Sequence, residues 1–274
     1  MRRIATMIAT LIAVGCQTPE PSFQAPAASD IASVFDGSSG SWVDLTHSFS
    51  EASVYWPTDT VGFTHEELAY GPTAGGWFYA SYRYSAAEHG GTHLDAPIHF
   101  AEGRHTSDQI PLSSLIGPAV IVDVAERAHP DYLISVEDFT SWEAEHGRIP
   151  EGAILLVRTG WDTRYGDRSA YLGTDLIGPE AVAELHFPGL DPDAAQWLVT
   201  NRSIAAFGID TPSVDYGQSS DFRSHVILYQ ENIPGFENVA NLGQLPPVGS
   251  YVVALPMKIE GGSGGPLRIV AWVP

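Results

Sequence analysis

The segment that most constrains this chain covers residues 89–100 and reads HGGTHLDAPIHF. It places His89, His93, Asp95 and His99 at positions of the same parity. On an extended backbone such positions share one face, so we expect four polar groups on one side of a strand. Two ligands one helical turn apart are the alternative for a His-x-x-x-His spacing, but the glycines and the proline of the segment disfavour a helix.

Imidazoles combined with a carboxylate suit zinc, manganese or iron, whereas calcium and magnesium sites are built from oxygen ligands. A catalytic metal site needs about three protein ligands and an open position. The segment therefore predicts a catalytic metal site with one imidazole to spare. The remaining histidines are scattered along the chain and are interpreted as structural: His47, His65, His105, His129, His146 and His186.

The charge of the chain excludes several function classes. The formal net charge is −20 at pH 7, and Lys258 is the only lysine. Nucleic acids and anionic membrane surfaces require clustered cations, so we expect no nucleic-acid partner. The sequence contains no Gly-Lys-Ser/Thr phosphate loop, and a Schiff-base mechanism has a single candidate lysine.

Cys16 is the only cysteine, which excludes disulfides within the chain and thiolate zinc sites. It follows Arg2, Arg3 and the apolar run 4–14, a pattern typical of a signal peptide and too short to span a bilayer. The run from Ile12 to Cys16 is similar to a bacterial lipobox. It predicts cleavage before Cys16, a lipid on its sulfur, and an extracytoplasmic lipoprotein of the periplasm or cell envelope. A plain secretory signal, and hence a secreted protein, is the alternative.

Composition divides the chain into three parts. Residues 1–15 are predicted to be the signal peptide, and residues 16–40, rich in Pro, Ala, Ser and Gly, a lipid-anchored flexible linker. Residues 41–274 are predicted to form one folded domain. Runs rich in β-branched or aromatic residues predict strands at 77–84, 119–124, 153–158, 204–209, 251–255 and 267–273.

Helices are predicted between these strands. Ser135 is a candidate N-cap of a helix that ends at Gly147, and Asp191 is the candidate N-cap of a helix over 193–202. Strands that alternate with short helices predict a mixed α/β domain.

A Gly-x-Ser-x-Gly pattern surrounds Ser263, as in the nucleophile turn of α/β-hydrolases. In that fold the acid and the histidine follow the serine, yet only nine residues follow Gly265, and none is His, Asp or Glu. We therefore interpret residues 261–265 as a turn that enters the last strand.

The motif His-x-Gly-Thr-His-x-Asp-x-Pro-x-His of residues 89–99 resembles the signature of the metal-dependent cyclase family, which contains bacterial kynurenine formamidase and isatin hydrolase. The resemblance runs from about residue 42 to the C-terminus. It implies a swivelling β/β/α fold, in which a curved, partly barrel-like mixed sheet is flanked by helices, and a homo-oligomer. Supporting stretches lie at 44–47, 56–57, 117–123, 158–161, 208–213 and 232–238.

The resemblance also implies roles for individual residues. His99 matches the catalytic acid or base, and Asp95 matches a carboxylate able to bridge two ions. The isatin hydrolase branch is understood as a one-metal manganese site. Because His225 and Glu237 match the pair that completes a second site in the formamidase branch, two zinc ions are expected, with manganese as the alternative. The full set of matched metal ligands is His89, His93, Asp95, His225 and Glu237.

The implied activity is hydrolysis of the C–N bond of a small amide, similar to that of an arylformamidase of tryptophan catabolism. Metal-bound hydroxide would attack the carbonyl, and His99 would transfer protons near neutral pH. One alternative is a cyclic amide or lactone hydrolase of the isatin hydrolase type. Another is an inactive, metal-containing lipoprotein that binds a small molecule; the presence of His99 argues against it, because a binding site has no need of a free imidazole.

Overall fold

The computed structural model describes residues 31–274. The predicted signal peptide and Cys16 lie outside these residues. The part of the predicted linker that is described contains a short helix, α1 (Ile31–Asp36), whose Val34 carbonyl accepts a hydrogen bond from Trp42 Nε1. The end of the predicted linker therefore forms a helix that contacts Trp42 of the domain.

The twelve strands of the described part are β1 (Ser41–Asp44), β2 (Thr64–Pro72), β3 (Phe78–Ser85), β4 (His93–Asp95), β5 (Ile116–Asp123), β6 (Leu133–Ile134), β7 (Ile154–Arg158), β8 (Gly189–Leu190), β9 (Ala206–Ile209), β10 (Gly235–Glu237), β11 (Val248–Pro256) and β12 (Gly264–Val273). The other α-helices are α2 (Val136–His146), α3 (Arg168–Leu172), α4 (Pro192–Asn201) and α5 (Arg223–Gln230). Short 3-10 helices lie at Pro97–His99, Leu112–Ser114, Trp161–Arg164, Pro179–Glu184 and Leu242–Gln244.

The main sheet closes on itself. Its order is β1-β12-β11-β5-β7-β9-β10-β4, and β4 also pairs with β12. Strands β5, β7, β9 and β10 run parallel, and the remaining pairs of this sheet are antiparallel. The result is a mixed, barrel-like sheet with β1 added outside the ring, which confirms the predicted fold class.

Both faces of the parallel strands are buried, and this explains their continuous apolar sequences. In β7, Ile154 and Leu156 point to one side and Leu155 and Val157 to the other, and all four side chains are fully buried. One apolar cluster draws residues from all seven strands of the ring and fills its interior. The second lies between the outer face of β5, β7 and β9 and helices α2, α4 and α5.

The two predicted N-caps are confirmed. The backbone N–H of Ser135 donates to Asp138 Oδ2 over 2.8 Å, and α2 ends before Gly147, whose φ is +88°. Asp191 accepts a hydrogen bond from the N–H of Asp193 over 2.7 Å, with Pro192 at the first helical position.

Strands β2 and β3 form a separate two-stranded hairpin. Most of its residues are exposed on both faces. At its base, the Tyr84 hydroxyl lies 3.5 Å from Met257 Sδ. The predicted strand over 77–84 therefore exists, but it belongs to a projecting ribbon and not to the core.

Within residues 31–274, no helix has both the length and the apolar character that crossing a bilayer requires.

Candidate metal centre

The centre is built on β4, the three-residue strand at the point where the ring closes. Leu94 points into the ring interior, so His93 and Asp95 point to the outer face. The neighbouring strand β10 pairs Glu237 with His93 and Phe236 with Leu94, which places Glu237 on the same outer face. Helix α5 brings His225 to these side chains.

The predicted extended conformation of residues 89–99 is wrong at Gly91 and from Pro97 to His99. Gly91 has φ of +59°, a conformation that glycine adopts readily, and Pro97 begins a 3-10 turn that ends at His99. A Cβ at Gly91 would also lie 2.5 Å from the Phe49 ring. The chain therefore bends on both sides of β4, and these bends, not a shared strand face, bring His89 and His99 to the site.

The imidazoles of His93 and His225 each have one nitrogen bonded to an acceptor outside the carboxylate cluster. His93 Nδ1 lies 3.0 Å from the Gly91 carbonyl oxygen, and His225 Nδ1 bonds to the Asp215 carboxylate. In both rings Nε2 faces the carboxylates of the site. Outer hydrogen bonds of this kind fix the tautomer of a metal-binding histidine.

The carboxylates of Asp95 and Glu237 converge on these nitrogens. Asp95 Oδ1 lies 3.1 Å from His93 Nε2, and Asp95 Oδ2 lies 3.3 Å from His225 Nε2. Glu237 Oε2 lies 3.4 Å from His93 Nε2, and Oε1 lies 3.1 Å from His225 Nε2. The two oxygens of Asp95 therefore face two different histidines.

The electrostatics of the cluster favour a bound cation. Burial opposes a charged His93, but the nearby carboxylate of Asp95 outweighs it and raises the His93 pKa to about 9. Burial and the negative charge of Asp95 raise the pKa of the Glu237 carboxyl. Two buried acids that attract protons onto neighbouring histidines form the environment in which a divalent ion replaces those protons.

The residues present fit a transition metal. His93 Nε2 is buried and makes no hydrogen bond, although its ring is fixed through Nδ1. Two sets of donor atoms, each lying within 4.8 Å of one another, share Asp95. The first set is His89, Asp95 and His99; the second is His93, Asp95 and Glu237. The geometry thus brings all six predicted site residues together, and it places His99 beside the predicted ligands His89 and Asp95.

A cavity of about 250 Å³ lies above the centre. The proposed ligands and His99 form its floor, and Trp56, Phe100 and Phe222 form aromatic walls. The Phe222 ring lies 6.1 Å from Trp56 and 5.2 Å from Phe100, measured between centroids. Such a cavity accepts a flat, largely apolar molecule with one polar group directed at the floor.

His99 is the candidate general acid or base of the site. Its ring stacks on His89 with centroids 3.7 Å apart. Burial is the main cause that lowers the His99 pKa, to about 4, while Asp95 opposes this. Near neutral pH the imidazole is therefore uncharged and can accept a proton.

Sequence reasoning missed three polar residues that touch the proposed ligands, Asp215, Tyr229 and Ser263. It also missed Glu88, which bonds to Ser263. Tyr229 donates from its hydroxyl to Asp95 Oδ2 over 2.8 Å, and Gly235 makes room for it because a Cβ there would lie 2.4 Å from that hydroxyl. Asp215 belongs to a stretch that directly follows a motif noted for its resemblance. Ser263 had been noticed only as an excluded nucleophile.

Known proteins resemble this chain over most of its length. An isatin hydrolase from Roseibium aggregatum is 37% identical over 209 residues, which are 73% of this chain and 77% of that protein. A kynurenine formamidase from Salinibacter ruber is 29% identical over 237 residues, 83% of this chain and 95% of that protein. The solved structure of isatin hydrolase A from Labrenzia aggregata bound to benzyl benzoate superimposes with a TM-score of 0.80 at 32% identity, covering 89% of this chain and 98% of that one.

The family model described as Cyclase matches residues 43–216. This range begins just before β1 ends and includes β4 and the whole motif of residues 89–99. Together with the relative at 37% identity, it confirms the predicted family. The chain belongs to the Cyclase family.

Proposed function

We propose that this protein is a metal-dependent hydrolase that cleaves the C–N bond of a small, uncharged aromatic amide. The observation that carries the proposal is the convergence of four imidazoles and two buried carboxylates at the floor of an aromatic cavity. Relatives called isatin hydrolase and kynurenine formamidase support the same reaction class.

Two ions are proposed, with His89, His93, Asp95, His225 and Glu237 as their ligands and zinc favoured over manganese. When bound, the metal would polarise the scissile carbonyl and make water a nucleophile near neutral pH. Glu237 supports two ions over one, because it and Asp95 together supply two buried negative charges for a pair of divalent cations.

The chain's own residues would orient the substrate and move its protons. Trp56, Phe100 and Phe222 present ring faces and edges to a planar molecule, which orients its carbonyl toward the floor. His99, uncharged near neutral pH, would take a proton from the attacking water and deliver it to the departing nitrogen. No lysine or arginine of the described residues lines the cavity.

The lack of a cationic side chain among the described residues of the cavity wall bears on the choice of substrate. The amino-acid group of a formylkynurenine carries a carboxylate and an ammonium, and the aromatic wall of the cavity offers neither of them a partner of opposite charge. An uncharged cyclic amide such as isatin avoids this cost. The cavity therefore favours the isatin hydrolase type of substrate over the arylformamidase type, which is retained as the second candidate.

The test is turnover by purified, metal-loaded protein on isatin, simple formanilides, N-formylkynurenine and lactones. Isatin and uncharged formanilides are expected to be hydrolysed with higher kcat/KM than formylkynurenine. Hydrolysis of formylkynurenine alone would contradict the substrate argument. No turnover of any compound, with metal bound, would favour the inactive binding protein.

We also propose a homo-oligomer in which the β2–β3 hairpin packs on a second copy. A two-stranded ribbon is marginally stable by itself in water. Its large apolar side chains are between 42% and 65% exposed: Leu68, Tyr70, Trp77, Phe78, Tyr79, Tyr82 and Tyr84. From typical side-chain areas they offer about 700 Å² per copy, close to the roughly 800 Å² that each partner buries in a standard interface.

For cellular location we propose an extracytoplasmic lipoprotein anchored through Cys16, with a secreted protein as the alternative. The support is the sequence alone: the arginines, the short apolar run and the lipobox-like residues that precede Cys16.

A further inference from the structure

Ser263 lies at the centre of a chain of hydrogen bonds that ends on a proposed metal ligand. Its hydroxyl donates to Glu88 Oε2 over 2.7 Å, and its oxygen lies 2.8 Å from His89 Nε2. The backbone N–H groups of Ser263 and Gly264 donate to the same Glu88 oxygen over 2.7 Å and 3.2 Å. Glu88 is thereby fixed to the loop that enters β12.

These contacts determine where the His89 proton lies. A serine hydroxyl has one proton to donate. Because Ser263 gives that proton to the Glu88 carboxylate, its oxygen can only accept from His89, and the His89 proton must be on Nε2. Nδ1 lies 2.6 Å from Asp95 Oδ1, a contact that requires a proton between the two atoms when no metal is bound. A metal ion would take the place of that proton, so Nδ1 is the nitrogen that His89 can offer as a ligand.

His89 therefore faces the cluster through the opposite nitrogen from its neighbours. The outer partners of His93 and His225 hold their protons on Nδ1 and leave Nε2 toward the carboxylates. Ser263, the outer partner of His89, holds the proton on Nε2 and leaves Nδ1 toward the carboxylates. The local backbone matches this orientation: a Cβ on Gly264 would lie 2.7 Å from His89 Cε1 and 2.5 Å from the Leu94 carbonyl oxygen.

We propose that Glu88 and Ser263 are positioning residues that hold His89 in the tautomer that binds metal through Nδ1. The inference rests on the proposed metal-dependent function and deepens it by assigning the nitrogen used at one ligand. It also gives the glycine-rich loop of residues 261–265 a role: the loop closes the ring beside β4 and delivers a hydroxyl to His89.

The first experiment measures zinc affinity of the full chain by competition with a chelator. Ser263→Ala removes the acceptor of the Nε2 proton. The affinity for the more affected zinc ion is expected to fall by about 10–100-fold, the usual cost of losing such a partner. Ser263→Thr keeps a hydroxyl and is expected to restore most of that affinity. Ser107→Ala is the matched control, because Ser107 contacts the same loop through its backbone and Met257 through its hydroxyl without touching His89.

The second experiment records imidazole ¹⁵N chemical shifts of the unaltered, zinc-loaded protein. The expected spectrum has His89 with zinc on Nδ1 and a proton on Nε2, and His93 with the reverse pattern. Zinc on Nε2 of His89, or equal zinc affinity in Ser263→Ala and Ser107→Ala, would overturn the inference. Failure of the unaltered protein to bind zinc or manganese would instead overturn the proposed function.

Discussion

Replacing Glu237 separates the metal-binding role of this carboxylate from its structural role. Glu237 Oε1 accepts a hydrogen bond from the Val214 backbone N–H over 2.8 Å, and both side-chain oxygens face the histidines of the centre. Glu237→Gln keeps an oxygen for Val214 and removes the negative charge. Glu237→Ala removes both.

Without metal the two variants are expected to differ in stability. In Glu237→Ala the buried Val214 N–H loses its acceptor, which costs about 1–3 kcal/mol. For a chain of this size each kcal/mol shifts Tm by roughly 2–4 °C, so Glu237→Ala should melt about 2–12 °C below Glu237→Gln in the presence of a chelator. Glu237→Gln should melt no lower than the unaltered protein, because burial and Asp95 disfavour the Glu237 charge when no cation is present.

With metal the two variants are expected to agree. Both remove the carboxylate of the second site, so each should retain one ion where the unaltered protein binds two, and each should gain less Tm from added zinc. The assays are elemental analysis after gel filtration and thermal unfolding with chelator or zinc. Equal Tm values for the two variants in chelator would refute the Val214 argument. A single ion in the unaltered protein, unaffected by Glu237→Gln, would refute the second site.

Three further predictions concern other parts of the molecule. His99→Ala should keep its metal content while kcat on an activated amide falls by about 10²–10⁴-fold; metal loss would make His99 a ligand, and unchanged kcat would remove it from the mechanism. Cys16→Ser should move the protein from the membrane fraction to the soluble extracytoplasmic fraction with activity retained, and an unaltered protein that is already soluble would contradict lipidation. Tyr70→Ser combined with Phe78→Ser should lower the oligomeric state in light scattering, whereas Leu176→Ser, an exposed apolar control outside the hairpin, should not; no change in the double variant would contradict the hairpin interface.

Much of the fold could be predicted because local sequence determines it. The buried parallel strands are runs of apolar residues, such as Ile154 to Val157, and the helices begin at side chains suited to capping. The closure of the ring could not be predicted, since it depends on β4 and β10, strands of three residues whose pairing is set by contacts distant in sequence. The exposure of β3 could not be predicted either, because its aromatic sequence is equally typical of a buried strand.

The site residues that are close in sequence could likewise be predicted from local spacing, and those that are distant in sequence could not. His89, His93, Asp95 and His99 are close in sequence, so their chemistry was visible although their predicted shared strand was wrong. His225 and Glu237 were found only through resemblance, because no local spacing links them to the motif. Ser263 carried no such signal: its contact with His89 spans 174 residues and arises only when β12 pairs with β4.

Because β4 is only three residues long, metal binding by the proposed ligands should help to keep the barrel closed. Three backbone positions join β10 on one side to β12 on the other, and the side chains of His93, Asp95 and Glu237 meet directly across this junction. An ion held by these side chains would tie β4 to β10, and without it two buried acids face each other there. After loss of metal, the sheet should therefore open at β4 first. Amide protons of residues 93–95 should then exchange with solvent before those of β7, on the opposite side of the ring.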